Sequence, residues 1–233
     1  MPMRATTVRF SEDLWSMLER EATKSGVSAA QFVREATILR LAMLAGMRGD
    51  EAARMTLGSL AAQAQGAGDG EVAGAVSDPK RLSALEKTGL LDSEPDERFD
   101  GLARVAARAL DAPVAMVTLV DRDRQFFKAC IGLEEPWASQ RETPLSHSFC
   151  QHAVAARTAL VVDDAREDPV LRDNPAIRDM KVIAYAGIPL IARGGAALGT
   201  LCVIDHKPRR WRPEDTSLLE EIAGTVVAQI EAG

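Results

Sequence analysis

Aromatic residues and cysteines are scarce in this sequence. Phe, Trp and Tyr together make up 4% of the 233 residues, and there is a single tyrosine. A core with so few rings has to be built from Ala, Val, Leu and Ile. The three cysteines, Cys130, Cys150 and Cys202, cannot all pair with one another. We therefore expect reduced thiols and a cytoplasmic protein.

Long apolar runs and an excess of positive charge are also missing. The longest apolar stretches, such as "APVAMVTLV", are far shorter than the ~20 residues of a membrane helix. The first residues, "MPMRATTVRF", lack the apolar run of a signal peptide, so we expect no membrane partner. The formal net charge of −6 argues against a polyanion binder along the whole chain, although it allows a small basic face.

Composition divides the chain into a compact block at 1–46, a linker at 47–77 and a larger block at 78–233. The linker contains "LAAQAQGAGDG" and has almost no large apolar residues after Leu60. Such a segment buries too little apolar surface to fold alone. We expect a spacer that is helical over 50–65 and flexible beyond.

The first block has the pattern strand, helix, helix. In "ATTVRFS" apolar and polar residues alternate, which is typical of a strand. Ser11 is placed to cap a first helix, and Ser28 with Gln31 forms a capping box for a second. About forty residues with one strand cannot make a stable core alone. We therefore expect two copies to pair as a homodimer.

The stretch "TTVRFSEDLWSMLEREATKSGVSAAQFVREATILRLA" resembles a ribbon-helix-helix DNA-binding domain of the Arc and methionine repressor type. The resemblance implies that Ala5, Thr7 and Arg9 face base edges, and that Ser28 and Ala29 hold a DNA phosphate. Residues 1–50 carry seven basic and six acidic side chains, so binding to DNA would be modest and sensitive to salt. The alternative is a fold that only pairs two chains.

The larger block mixes helices and strands. Pro189 lies inside one predicted strand and indicates an edge position or a bulge. The last helix carries an apolar stripe that should face the core. The pattern predicts helices at 78–91, 95–112, 147–157 and 212–232, strands at 113–121, 126–133 and 159–165, and a hairpin at 182–205 that turns at Gly194 and Gly195.

Four segments of this block, "TPLSHSFCQHAV", "VVDDAREDPVLRDNP", "YAGIPLI" and "ALGTLCVIDHKPRRW", resemble a GAF domain. The resemblance implies an α+β fold in which helices flank a central antiparallel sheet of six strands. It also implies a small-molecule pocket, for which Phe149, Cys150, Tyr185 and Cys202 are the candidate ligand-binding residues. Because fold does not name the ligand, the cofactor is unknown.

The segment "SHSFCQHA" concentrates two histidines and a cysteine. On a helix, Cys150 and His152 would face opposite ways, whereas His147 and Cys150 would share a face. Three metal ligands cannot converge from that helix alone, so we assign no metal site. We interpret Phe149 and Cys150 as pocket wall. Thiol chemistry with Cys202, as in free methionine sulfoxide reductases, and a bilin thioether stay open, although Gln151 interrupts the Cys-His pair.

The two resemblances together predict a ligand-responsive transcriptional regulator, in which a GAF domain senses a small molecule and a paired ribbon-helix-helix domain binds operator DNA. On this interpretation the chain is not an enzyme and has no catalytic residues. Two alternatives remain: an enzyme similar to the free methionine sulfoxide reductases, and a dimeric signalling module that does not bind DNA.

Overall fold

The computed structural model describes residues 11–24, 69–168 and 170–232, together with positions 32, 33, 36, 37, 40, 41, 44 and 48. The chain divides into two compact units, residues 1–66 and 67–233. Each unit is described by itself, and helices and strands are numbered along the described part of the chain.

The first unit contains helix α1, Glu12–Lys24. It begins where the sequence predicts, because the backbone N–H of Leu14 donates to the Ser11 hydroxyl at 3.4 Å. Leu14 and Met17 are 48% and 54% exposed, so this apolar side is largely uncovered in the single chain. The predicted ribbon with Ala5, Thr7 and Arg9, and the predicted DNA-phosphate contacts at Ser28 and Ala29, lie outside the described residues.

The second unit is built on a six-stranded antiparallel sheet with strand order β3-β2-β1-β6-β5-β4. This confirms the predicted α+β architecture for this part of the chain. The strands are β1 Val114–Val120, β2 Arg124–Ile131, β3 Glu142–Pro144, β4 Leu160–Val162, β5 Ala184–Ile191 and β6 Ala197–Asp205. The helices are α2 Asp69–Val76, α3 Pro79–Glu86, α4 Glu97–Ala109, α5 Trp137–Gln140, α6 Cys150–Ala156, α7 Ala176–Asp179 and α8 Pro213–Ala232, with a 3₁₀ helix at Leu145–His147.

Both faces of the sheet are covered, which explains why β1 reads as a continuous apolar run. Ala115, Val117 and Leu119 point to one face, where they join the apolar residues of α3, α4 and α8. Val114 and Met116 point to the other face, where they join residues of α2 and α6. The predicted stripe of the last helix is buried on the first face, as expected: Leu219, Ile222, Val226 and Ile230.

Helix α2 lies inside the segment predicted as a linker at 47–77. Val72 and Val76 are 3% and 0% exposed and belong to the apolar cluster of the second face. Residues four apart share a helix face, so these two valines bury a stripe that the small residues around them obscure in the sequence. The second unit therefore begins before Asp78, the predicted boundary.

The hairpin of β5 and β6 turns between Ala192 and Ala196, where the two backbones are joined by a 2.9 Å hydrogen bond. Strand β4 pairs with β5 only as far as Gly187, so Pro189 has no strand on that side. The register of β5 and β6 shifts after Leu190. Both the edge position and the bulge that Pro189 indicates are present. Among the described helices, none combines the length and the apolar character that crossing a membrane would require.

Candidate functional site

The second face of the sheet brings the four predicted pocket residues together. Cys150 is the first residue of α6, Phe149 precedes it, and Tyr185 and Cys202 come from the paired strands β5 and β6. All four are at most 3% exposed. We call these four residues the buried-face cluster.

The contacts inside the cluster are short. The Tyr185 hydroxyl donates to the Cys150 sulfur at 3.2 Å, and the sulfurs of Cys150 and Cys202 are 3.9 Å apart. The rings of Phe149 and Tyr185 lie with centroids 5.4 Å apart and planes tilted by 55°, an arrangement that aromatic pairs favour. The cluster therefore has an apolar aromatic side and a polar side made of one phenol and two thiols.

Gly187 makes room for the tyrosine ring. Residues two apart on a strand point to the same face, so the side chain of Tyr185 extends over position 187. A Cβ atom at Gly187 would lie 2.1 Å from the Tyr185 hydroxyl oxygen and 2.5 Å from Cζ. The absence of a side chain at 187 is thus what allows the phenol to reach the Cys150 sulfur.

Two threonines complete the polar side of the cluster, and the sequence reasoning missed them. Thr118 of β1 and Thr200 of β6 face each other in register, are both fully buried, and bring their hydroxyl oxygens to 3.0 Å. A signal was present, because Thr118 interrupts the apolar run "VAMVTLV" and Thr200 lies two residues before Cys202 on the same face of its strand.

Burial and hydrogen bonding shift the pKa values of the two thiols in opposite directions. Burial opposes ionisation of Cys150, but hydrogen bonds from Cys202, Thr118, Thr200 and Tyr185 lower the pKa of Cys150 to about 6. The hydrogen bond with Cys150, followed by burial, raises the pKa of Cys202 well above its ordinary value. Burial likewise raises the pKa of Tyr185. The pair therefore loses its first proton from Cys150, while Cys202 and the phenol keep theirs.

The prediction that His147 and Cys150 share a helix face is wrong. Helix α6 begins at Cys150, and the backbone of Ser148 is extended, with φ −89° and ψ 115°. The buried Ser148 hydroxyl donates to the Gln125 side chain instead of continuing a helix. His147 consequently turns towards Asp179, whose carboxylate oxygen lies 3.2 Å from its Nε2 atom.

The carboxylates of "DDAREDP" accept hydrogen bonds from backbone N–H groups and neighbouring side chains. Asp168 accepts from the backbone N–H groups of Val170 and Leu171 at 2.9 and 3.0 Å, and Asp163 accepts from that of Trp211 at 3.1 Å. Within the described residues, no group of three or more His, Cys, Asp and Glu side chains is placed to hold a metal ion.

A relative with curated function resembles the chain over 152 residues at 38% identity. It is named a cyclic di-GMP phosphodiesterase and comes from Pseudomonas aeruginosa. The match includes 64% of this chain and 25% of the relative. The chain thus spans about a quarter of the length of the curated relative that it matches.

Solved structures resemble the chain at low identity. One is a free methionine-R-sulfoxide reductase from Neisseria meningitidis, with a TM-score of 0.48 and 21% identity over 66% of this chain and 90% of the other. Another is the GAF domain of an Acinetobacter phosphoenolpyruvate-protein phosphotransferase, with a TM-score of 0.47 and 16% identity over 66% of this chain and 95% of the other. Similarity at this level bears on neither activity nor ligand.

The relative corrects two predictions. The prediction of a DNA-binding transcriptional regulator is wrong, because the relative at 38% identity is named a cyclic di-GMP phosphodiesterase. The expectation that no enzyme is involved is contradicted by the same finding. The matching family model covers residues 94–230, more than half of the chain, and contains all six strands from β1 to β6. The chain belongs to the GAF domain family.

Proposed function

We propose that the second unit is the regulatory GAF domain of a cyclic di-GMP phosphodiesterase system. On this proposal the domain binds a small molecule at the buried-face cluster and passes the event to phosphodiesterase activity. The support is the 38% identity to a curated cyclic di-GMP phosphodiesterase, of which the matched quarter corresponds in size to a GAF domain.

The observation that best supports ligand binding is the hydrogen bond from the Tyr185 hydroxyl to the Cys150 sulfur. While Cys150 is protonated its sulfur is a weak acceptor, so the fully buried phenol then has a poor partner for its proton. Tyr185, Thr118 and Thr200 offer three hydroxyl groups within an apolar surround. This mixture of apolar walls with a few fixed polar groups is typical of small-molecule sites. A ligand that offers an oxygen acceptor would give the phenol a stronger hydrogen bond.

The proposal is tested on the purified full chain. Small molecules that copurify are released by denaturation and identified by mass spectrometry, and an absorption spectrum is recorded before release. The wild type should retain a ligand at a defined stoichiometry, and Tyr185→Phe should retain much less. Equal retention by both proteins would show that the ligand binds outside the buried-face cluster.

The two thiols support a second candidate, a thiol-dependent reductase of the free methionine sulfoxide type. The Cys150 thiolate would attack the sulfoxide sulfur, the sulfide would leave, and the oxygen would stay on Cys150 as a sulfenic acid. The Cys202 thiol would then attack the Cys150 sulfur, form the disulfide and release the oxygen as water. The balance is one sulfoxide and two thiols converted into one sulfide, one disulfide and one water, with an external dithiol restoring the thiols. Turnover of a sulfoxide, followed with thiol titration, should then vanish in Cys150→Ser and in Cys202→Ser.

We propose that the N-terminal block pairs two copies of the chain. Residues 1–46 have the ribbon-helix-helix sequence pattern, and the exposed apolar side of α1 at Leu14 and Met17 suits pairing of two copies. Sedimentation of the full chain tests this: Phe10→Glu should convert a dimer into a monomer. A dimer that survives this change pairs elsewhere.

A further inference from the structure

A cavity lies between helix α2 and helix α6. It has a volume of about 290 Å³ and is lined by residues of α2, of the turn after β1, of the 3₁₀ helix and of α6. Helix α2 precedes the residues 94–230 that match the family, so one wall of the cavity lies outside the matched region. We propose that the cavity binds a small organic anion that also carries a hydrogen-bond donor.

One side of the cavity is apolar and firmly held. Val72 and Val76 line it from α2, and Leu145 lines it from the 3₁₀ helix. The two valines are at most 3% exposed and pack into the same cluster as Phe149 and Cys150. This wall suits a branched aliphatic group.

The other side supplies a cation. Arg122 lines the cavity from the turn after β1. Its backbone N–H is bonded to the carboxylate of Asp121, but its guanidinium forms no hydrogen bond or ion pair within the described part of the chain. A guanidinium offers donors in a planar fork that matches a carboxylate or a phosphate. Because the guanidinium is positively charged, the expected ligand is an anion.

Gln151 supplies an acceptor with a fixed direction. Its amide nitrogen donates to the backbone oxygens of Leu145 and Ser148 at 2.7 and 3.0 Å. Because both N–H groups of the side chain are thereby used, the amide oxygen is the atom left to meet a ligand, and it can only accept. The ligand therefore needs an N–H or O–H group beside its anionic group.

Buried Arg81 holds the walls in place. Its guanidinium donates to the backbone oxygens of Val76, Val120 and Ala197. The residue as a whole is 6% exposed. These hydrogen bonds tie the end of α2 to the end of β1, two residues before Arg122. The two walls are thus joined before a ligand arrives, which reduces the entropy lost on binding.

The test uses the full chain and isothermal titration calorimetry. The probe is N-acetyl-L-leucine, which joins a carboxylate, an N–H donor and an isobutyl group, and N-acetyl-L-leucinamide is the neutral control of nearly the same shape. Isobutyl phosphate, a second anion, shows whether carboxylate or phosphate is preferred. We expect saturable binding of at least one anion, weakened about tenfold or more for the neutral amide, because a hydrogen bond to a charged group contributes that much.

Two variants locate the binding site. Arg122→Gln should weaken anion binding about tenfold or more, whereas Arg210→Gln, an exposed arginine outside the cavity, should leave it unchanged. Ala73→Leu narrows the cavity from α2 without changing charge and should also abolish binding. Absence of saturable binding for both anions, or equal weakening by Arg122→Gln and Arg210→Gln, would overturn the proposal.

Discussion

Replacing Gly187 with alanine tests whether the Tyr185 phenol is held as tightly as the buried-face cluster requires. The new Cβ atom would lie 2.1 Å from the hydroxyl oxygen and 2.5 Å from Cζ, so the ring has to move. Tyr185 is 1% exposed and packs against Phe149, and a shift of this ring disturbs a closely packed surround. Overpacking of this kind costs about 1–3 kcal/mol.

The shifted ring also loses its hydrogen bond to the Cys150 sulfur, which adds about 1 kcal/mol. The expected loss in the free energy of unfolding is therefore about 2–4 kcal/mol. In a domain of this size the melting temperature should fall by roughly 4–16 °C. Thermal unfolding followed by circular dichroism measures the change.

Two controls separate this explanation from a general effect of alanine. Gly224→Ala, on an exposed helix position with no atom within 4 Å of the new Cβ, should stabilise the protein by up to about 1 kcal/mol. In a Tyr185→Leu background, which removes the phenol, Gly187→Ala should cost less than about 1 kcal/mol. If Gly187→Ala is as stable as the wild type, or if its cost persists without the phenol, the reasoning about the ring is refuted.

Three further predictions concern buried polar groups. Arg81→Met removes the donor of three backbone oxygens and should destabilise the protein by about 2–4 kcal/mol in urea unfolding; a loss below 1 kcal/mol would mean that those oxygens find other donors. Burial, the largest effect, raises the pKa of Cys130 to about 11. In a Cys150→Ser/Cys202→Ser background the labelling rate of Cys130 should therefore rise about tenfold for each pH unit between 8 and 10, and a plateau in that range would contradict the burial effect. A mild thiol oxidant should convert Cys150 and Cys202 into a disulfide, because their sulfurs are already 3.9 Å apart, and peptide mapping that finds Cys130 paired instead would contradict this geometry.

The sequence is informative where a pattern is long or specific. The apolar stripe of α8 and the two apolar runs of the hairpin predict elements that the structure confirms, because each pattern extends over many residues. The proximity of Phe149, Cys150, Tyr185 and Cys202 follows from the family resemblance rather than from periodicity. The register of β5 and β6 then adds what the sequence could not supply, namely that Gly187 makes room for the Tyr185 ring.

Other features depend on contacts between distant segments. Helix α2 has only two apolar anchors, Val72 and Val76, so its packing against α6 is invisible in a stretch of Ala and Gly. The short strand β3 and the helices α5 and α7 have three or four residues each, too few to show a period. The break before Cys150 depends on Ser148, which bonds to Gln125 in another strand.

The most direct test of the regulatory role transfers the domain into the curated relative. The matched segment of the Pseudomonas aeruginosa phosphodiesterase is replaced with residues 67–232 of this chain, and hydrolysis of cyclic di-GMP is measured for the chimera and for its Tyr185→Phe and Arg210→Gln forms. If the buried-face cluster controls the activity, Tyr185→Phe should change the rate by about fivefold or more, while Arg210→Gln should match the unmodified chimera. Equal rates for all three chimeras, with the domain folded in each, would contradict the proposed function.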